Sequence, residues 1–95
     1  MTAGRSGWTV FCEKEASDVI EAMPPALKNS VIRFFCDFAV AGGLAIDTGG
    51  GPPGRPLDDA DLEFRLVVDG TSMFFDYLVL ADIKEFRVTN MIWLG

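Results

Sequence analysis

The chain has 95 residues, of which 49% are apolar and 23% charged, with a formal net charge of −6. That length fits one domain with one modest core, and the composition is globular rather than disordered. The acidic balance removes the non-specific phosphate attraction on which nucleic-acid binding usually rests. The absence of histidine, with only Cys12 and Cys36 as thiols, argues against a zinc site or a disulfide framework.

Residues 1–7 carry one charge and no apolar segment, so they are expected to be a short disordered lead-in rather than a secretory signal. Residues 8–95 are then a single domain. No apolar run reaches the roughly 18 residues that would span a bilayer. A cytoplasmic protein with no membrane partner and no cofactor is expected, its two cysteines buried as small hydrophobes.

In chain order, Trp8-Thr9-Val10-Phe11-Cys12 is rich in aromatic and β-branched residues and reads as a first strand. Ser17 and Asp18 are N-cap types with Glu21 as a capping-box partner, so a short helix is expected over residues 17–23. Pro24-Pro25 stops it, because proline lacks the backbone donor and clashes with the preceding turn. The second proline suits the first turn of another helix. Leu27, Val31, Phe34, Phe35 and Phe38 then recur at helical spacing, with Lys28, Asn29, Arg33 and Asp37 on the other faces. This predicts an amphipathic helix over residues 26–41, closed by Gly42-Gly43.

Residues 47–56 contain four glycines and three prolines, which excludes helix or interior strand and reads as a mobile linker. No Gly-Lys-Ser/Thr follows, so it is not a phosphate-binding loop. Asp58-Asp59-Ala60-Asp61 lacks the calcium-loop pattern and reads as a solvated charged turn.

Three apolar-rich runs fill residues 62–93, separated by Asp69-Gly70 and by Ala81-Asp82. Asp-Gly is a strong hairpin signal because glycine tolerates the positive φ of a tight primed turn. The fold class expected is therefore α+β: an N-terminal strand, a two-helix hairpin, then a three-stranded antiparallel meander. Alternation places Leu62, Phe64, Leu66 and Val68 opposite Glu63, Arg65, Val67 and Asp69. It places Met73, Phe75, Tyr77 and Val79 opposite Ser72, Phe74, Asp76 and Leu78. In the last run it sets Phe86, Val88, Asn90 and Ile92 against Glu85, Arg87, Thr89, Met91 and Trp93. One face must carry the helices, leaving Val67, Met91 and Trp93 as surplus apolar surface that suits a partner or a homodimer.

This succession resembles the RelE/ParE toxin superfamily over residues 8–93. Met23-Pro24 resembles the Leu-Pro joint between the family's helices. Gly54-Arg55-Pro56-Leu57 resembles the Gly-x-x-Leu before its central strand, and Phe64-Arg65-Leu66-Val67-Val68-Asp69-Gly70 its Tyr-Arg-Leu-Arg-Val-Gly run. The resemblance implies a RelE/ParE-like toxin paired with an antitoxin protein. One branch is an endoribonuclease that cleaves mRNA on the ribosome, and another poisons DNA gyrase. In the ribonuclease branch, cations on the exposed sheet face stabilise the charge that builds on phosphate as the 2′-hydroxyl attacks. By this resemblance Arg65 and Arg87 are the candidate catalytic residues, and Arg55 with Arg65 the candidate RNA contacts.

The chain departs from the family at several of these positions. Val67 stands where a second cation is common, and Ser72 or Met73 replaces an arginine of the next strand. A basic or tyrosine-bearing tail is lacking after Trp93-Leu94. Tyr77 is the only tyrosine, and an ordinary phenol is a poor base at neutral pH. Glu63 and Asp69 share the face of Arg65, so a cross-strand ion pair competes with phosphate for it. The reading is a RelE/ParE-like protein with a degenerate catalytic set; the alternatives are a gyrase-directed toxin and a non-catalytic interaction module that forms a homodimer.

Overall fold

A computed structural model describes residues 7–59, 62–68 and 72–94. The expected Asp69-Gly70 turn and residues 1–6 of the lead-in lie outside these. The fold is α+β: a strand β1 (Thr9–Cys12), helices α1 (Lys14–Glu21) and α2 (Pro25–Asp47), and strands β2 (Arg55–Pro56), β3 (Glu63–Val68), β4 (Met73–Leu80) and β5 (Glu85–Trp93). The sheet order is β1-β5-β4-β3-β2. β1 runs parallel to β5, and the other four strands pair antiparallel, so the expected three-stranded meander is one strand short.

Helix α1 begins three residues before the expected cap. The Ser17 N–H already donates to the Glu13 carbonyl, so Ser17 is inside the helix rather than at its start. Asp18 is held by Lys14 one turn back at 2.7 Å instead of capping. The two prolines act as expected: Pro24 is the N-cap of α2 and Pro25 opens its first turn.

Gly42-Gly43 does not end α2. Both glycines are buried within it, and a Cβ on Gly42 would lie 3.1 Å from Phe86 Cζ and 3.3 Å from Phe38 Cε1. Their role is close approach, not termination. The stop comes at Gly49, whose φ is +87°. The Gly49 N–H donates to Ile46 O and the Gly50 N–H to Ala45 O, the double closure of a Schellman motif. By length and composition α2 is also apolar enough to cross a membrane, Arg33 and Asp37 being its only charges over the apolar stretch, but here it packs on the sheet.

Residues 47–56 are not a free linker. The Asp47 carboxylate accepts from Trp8 Nε1 at 3.1 Å and sits 3.7 Å from Lys84 Nζ. The Tyr77 hydroxyl donates to the Pro53 carbonyl. Arg55 and Pro56 pair with Arg65 and Phe64 as a two-residue edge strand, where proline costs no ladder bond.

The helices cover one face of the sheet. Phe38 lies 5.7 Å from Phe75, 4.9 Å from Tyr77 and 4.6 Å from Phe86, ring centre to ring centre, and Trp8 stacks on Phe86 at 4.7 Å. Between β4 and β5 the register slips: Asp76 pairs with Asn90 but Tyr77 with Val88, leaving Thr89 as the extra residue of a bulge. A one-residue slip exchanges faces. Met91, expected on the open face, is therefore 2% exposed inside the core, and Trp93 packs against the core's edge. Met91 is thus withdrawn from the open face, Trp93 stays partly exposed at the core's edge, and Val67 is 59% exposed.

Gly54 adopts φ +103°, and a Cβ there would meet the Arg65 carbonyl oxygen at 2.5 Å. Gly54→Ala is expected to cost about 3 kcal/mol in a urea melt by combined strain and backbone clash. Gly51→Ala, where a Cβ meets nothing within 4 Å, should change stability by less than about 0.5 kcal/mol.

Candidate functional site

No described helix covers the other face of the sheet, and every candidate arginine lies on it. Directly opposed residues of an antiparallel pair share a face. Arg55, Arg65, Asp76 and Asn90 are thus one row across β2, β3, β4 and β5. Glu63, Leu78, Arg87 and Phe11 make the next row, and Val67, Phe74 and Ile92 flank the first on its other side. The structure therefore brings the three arginines onto one surface, with Arg55 and Arg65 as neighbours.

The charges of Arg65 and Arg87 are engaged. Arg65 donates from Nε to Asp76 Oδ1 at 2.7 Å and from Nη2 to Asp76 Oδ2 at 3.1 Å, a two-pronged contact. This hydrogen bonding holds the guanidinium still more firmly protonated than usual. Asp76 is only 6% exposed, so the pair is half sunk into the sheet. Arg87 binds Glu85, two residues back on its own strand, at 2.7 Å from Nη2 and 2.9 Å from Nε. Glu63 accepts from the Thr89 hydroxyl at 3.5 Å. Arg55, Arg65 and Arg87 thus face Glu63, Asp76 and Glu85 on this surface.

The arginines also diverge. The Arg65 guanidinium lies over the Phe74 ring at 4.6 Å and Arg87 lies over Phe11 at 5.4 Å. Phe74 is on the side of the first row away from Arg87, and Phe11 is on the strand beyond it. Strand spacing separates the Arg65 and Arg87 Cα atoms by roughly 12 Å. Two cations turned to opposite sides do not clasp one phosphate. Arg55, exposed at the edge, has no ion-pair partner among the described residues.

The partner of Arg65 is Asp76 across the ladder rather than Glu63 on its own strand, and Asp69 lies outside the described residues. A lone carboxylate inside Phe74-Phe75-Asp76-Tyr77 is the signal in the sequence that marks it, because such a group must find a cation or water. Tyr77 is on the helix-covered face, and burial pushes its phenol well above the ordinary range. It is no base for this surface. Among the described residues no three His, Cys, Asp or Glu side chains gather as metal ligands.

Away from this face, Phe34, Phe38, Ala41, Ala45, Pro53 and Leu66 line an apolar groove of about 350 Å³ between α2, the Gly/Pro loop and β3. A smaller hollow of about 210 Å³ beside β1 includes Cys12. Burial pushes that thiol up to about 11, which makes it unreactive at neutral pH.

Comparison with models of protein families, with curated proteins and with solved structures finds no match to this chain.

Two predictions follow from these environments. Arg65→Ala strands a nearly buried carboxylate that loses partners on both of its oxygens, whereas Arg87 contacts only one oxygen of the somewhat less buried Glu85; thermal melts should show the larger loss of Tm for Arg65→Ala. For Cys12, a folded value above the unfolded one means stability is complete below the ordinary thiol value of 9.0. It is then lost as pH rises through about 11. Native protein at pH 8 should leave Cys12 unalkylated by iodoacetamide, read by mass spectrometry after proteolysis, and urea midpoints should fall between pH 9 and 11.

Proposed function

We propose that the chain is a RelE/ParE-like toxin component of a bacterial toxin–antitoxin pair whose mRNA endoribonuclease chemistry is weak or lost. Its working interaction is protein binding, with an antitoxin as the partner. What supports the family reading is the element order: strand, two helices joined at proline, Gly/Pro loop, then antiparallel strands with Arg65 and Arg87 on the helix-free face.

The observation that carries the loss of chemistry is the neutralisation of that face. Electrostatic stabilisation of a pentacovalent phosphate needs cations whose charge is free to meet the charge that develops. Arg65 and Arg87 are already satisfied by Asp76 and Glu85. A phosphate would have to displace a two-pronged carboxylate and approach a chain of net charge −6.

A homodimer through the helix-free face is the second reading. It is favoured by the apolar row Val67, Phe74 and Ile92 and by the exposed Phe11. A gyrase-directed toxin would use the same fold without the phosphate site.

Induced expression of the chain alone in a bacterial host tests these readings, with translation and DNA synthesis followed separately. Soluble protein with translation unaffected is the expected result. An early fall in translation that Arg65→Ala with Arg87→Ala abolishes would overturn the loss of ribonuclease activity. An early fall in DNA synthesis would move the protein to the gyrase branch, and a stable dimer by sedimentation would favour the interaction module.

A further inference from the structure

Helix α2 leaves one side uncovered along most of its length. Ala26, Ser30, Arg33, Asp37, Val40 and Leu44 are all exposed, at alternating intervals of four and three residues. That spacing is the 3.5-residue period of the seam along which two helices pack. The opposite side is buried on the sheet through Val31, Phe35, Phe38 and Ala39. Only 33% of the helix's apolar stretch is buried within the molecule, while Leu44 is 58% and Val40 40% exposed.

The stripe differs from one end to the other. Its C-terminal half is aliphatic (Val40, Leu44), its N-terminal half is small (Ala26, Ser30), and a cation and an anion hold the middle. Ser30 already donates its hydroxyl to the Ala26 carbonyl at 3.1 Å, so covering it strands no donor. Neither Arg33 nor Asp37 joins an ion pair among the described residues. Within the helix they stand four residues apart in the less favourable order, with the cation nearer the N-terminus.

We propose that this stripe is a dimer seam, along which two copies of the chain pack α2 against α2 in antiparallel. A two-fold axis crossing the stripe midway between Arg33 and Asp37 sets Leu44 against Ala26, Val40 against Ser30 and Arg33 against Asp37, each pair twice. Large side chains then meet small ones, and each charge meets its opposite. A parallel pairing would set Arg33 on Arg33 and Asp37 on Asp37, which like charges oppose. A bilayer is a poorer cover, because the two charges stand at the centre of the stripe. The seam lies on the side of α2 away from the sheet, apart from the arginine-bearing face, and stands whether or not the toxin reading does.

Sedimentation of the full chain over a range of concentrations is the test, and a reversible dimer is the expected result. Leu44→Ser should weaken association about tenfold, while Val67→Ser on the helix-free face should leave it unchanged. Arg33→Asp alone and Asp37→Arg alone should each weaken it about tenfold, because like charges then oppose one another across the axis. Combining Arg33→Asp with Asp37→Arg should restore the original association, which a general loss of stability would not do. All these positions are exposed, and circular dichroism establishes that each variant is folded. A monomer at every concentration, a dimer that Leu44→Ser leaves intact, or a dimer that Val67→Ser breaks would overturn the proposal. So would failure of the charge exchange to restore association. Flotation of the original chain with zwitterionic vesicles, abolished by Leu44→Ser, would also overturn it by assigning the stripe to a lipid surface.

Discussion

The closeness of α2 to β5 at Phe86 sets the geometry of the rest of the fold. Phe86 meets Phe38 from the helix, Trp8 from the entry to β1 and Tyr77 from β4, so one ring joins all the layers of the core. That approach is possible because Gly42 presents no Cβ to the ring. A helix interrupted at Gly42-Gly43 would lose its last turns, and with them Asp47, which ties the helix end to Trp8 and Lys84. Glycine in a helix interior is intrinsically unfavourable by about 1 kcal/mol. Aromatic contact across the sheet outweighs that preference here.

The bulge at Thr89 has the next largest consequence. It lets β5 supply Phe86 and Val88 to the core and then, one residue out of phase, Met91. Without the slip, Asn90 and Ile92 would face the helices and Met91 and Trp93 would be left on the surface. The helix-free face consequently keeps fewer large apolar groups, and its centre holds Arg65, Asp76 and Asn90 instead.

Chemistry on that face is limited by its own charge balance. Three arginines gathered on one sheet surface are a suitable start for phosphate recognition, yet the same register sets Asp76 directly opposite Arg65. A bidentate carboxylate partly withdrawn from water is a strong competitor for a guanidinium.

Much of the architecture was legible in the residues themselves. Helical spacing of Val31, Phe35 and Phe38, the proline joint, and period-two alternation in Glu63–Val68 and Met73–Leu80 are local patterns, and each appears in the folded chain as its period requires. The position of Arg65 on the open face followed from the same alternation. What depended on residues far apart in sequence could not be read this way. The continuation of α2 through Gly42-Gly43 rests on a ring contributed by residue 86. Pairing of Arg55-Pro56 rests on a strand formed later in the chain. The inward turn of Met91 rests on a slip between two strands, and the capture of Arg65 rests on a carboxylate across the ladder. Local periodicity determined which segments form and which faces begin apolar. Tertiary contact decided where elements stop, which partner each charge takes and which apolar groups remain exposed, because those outcomes depend on distances that only the packed chain sets.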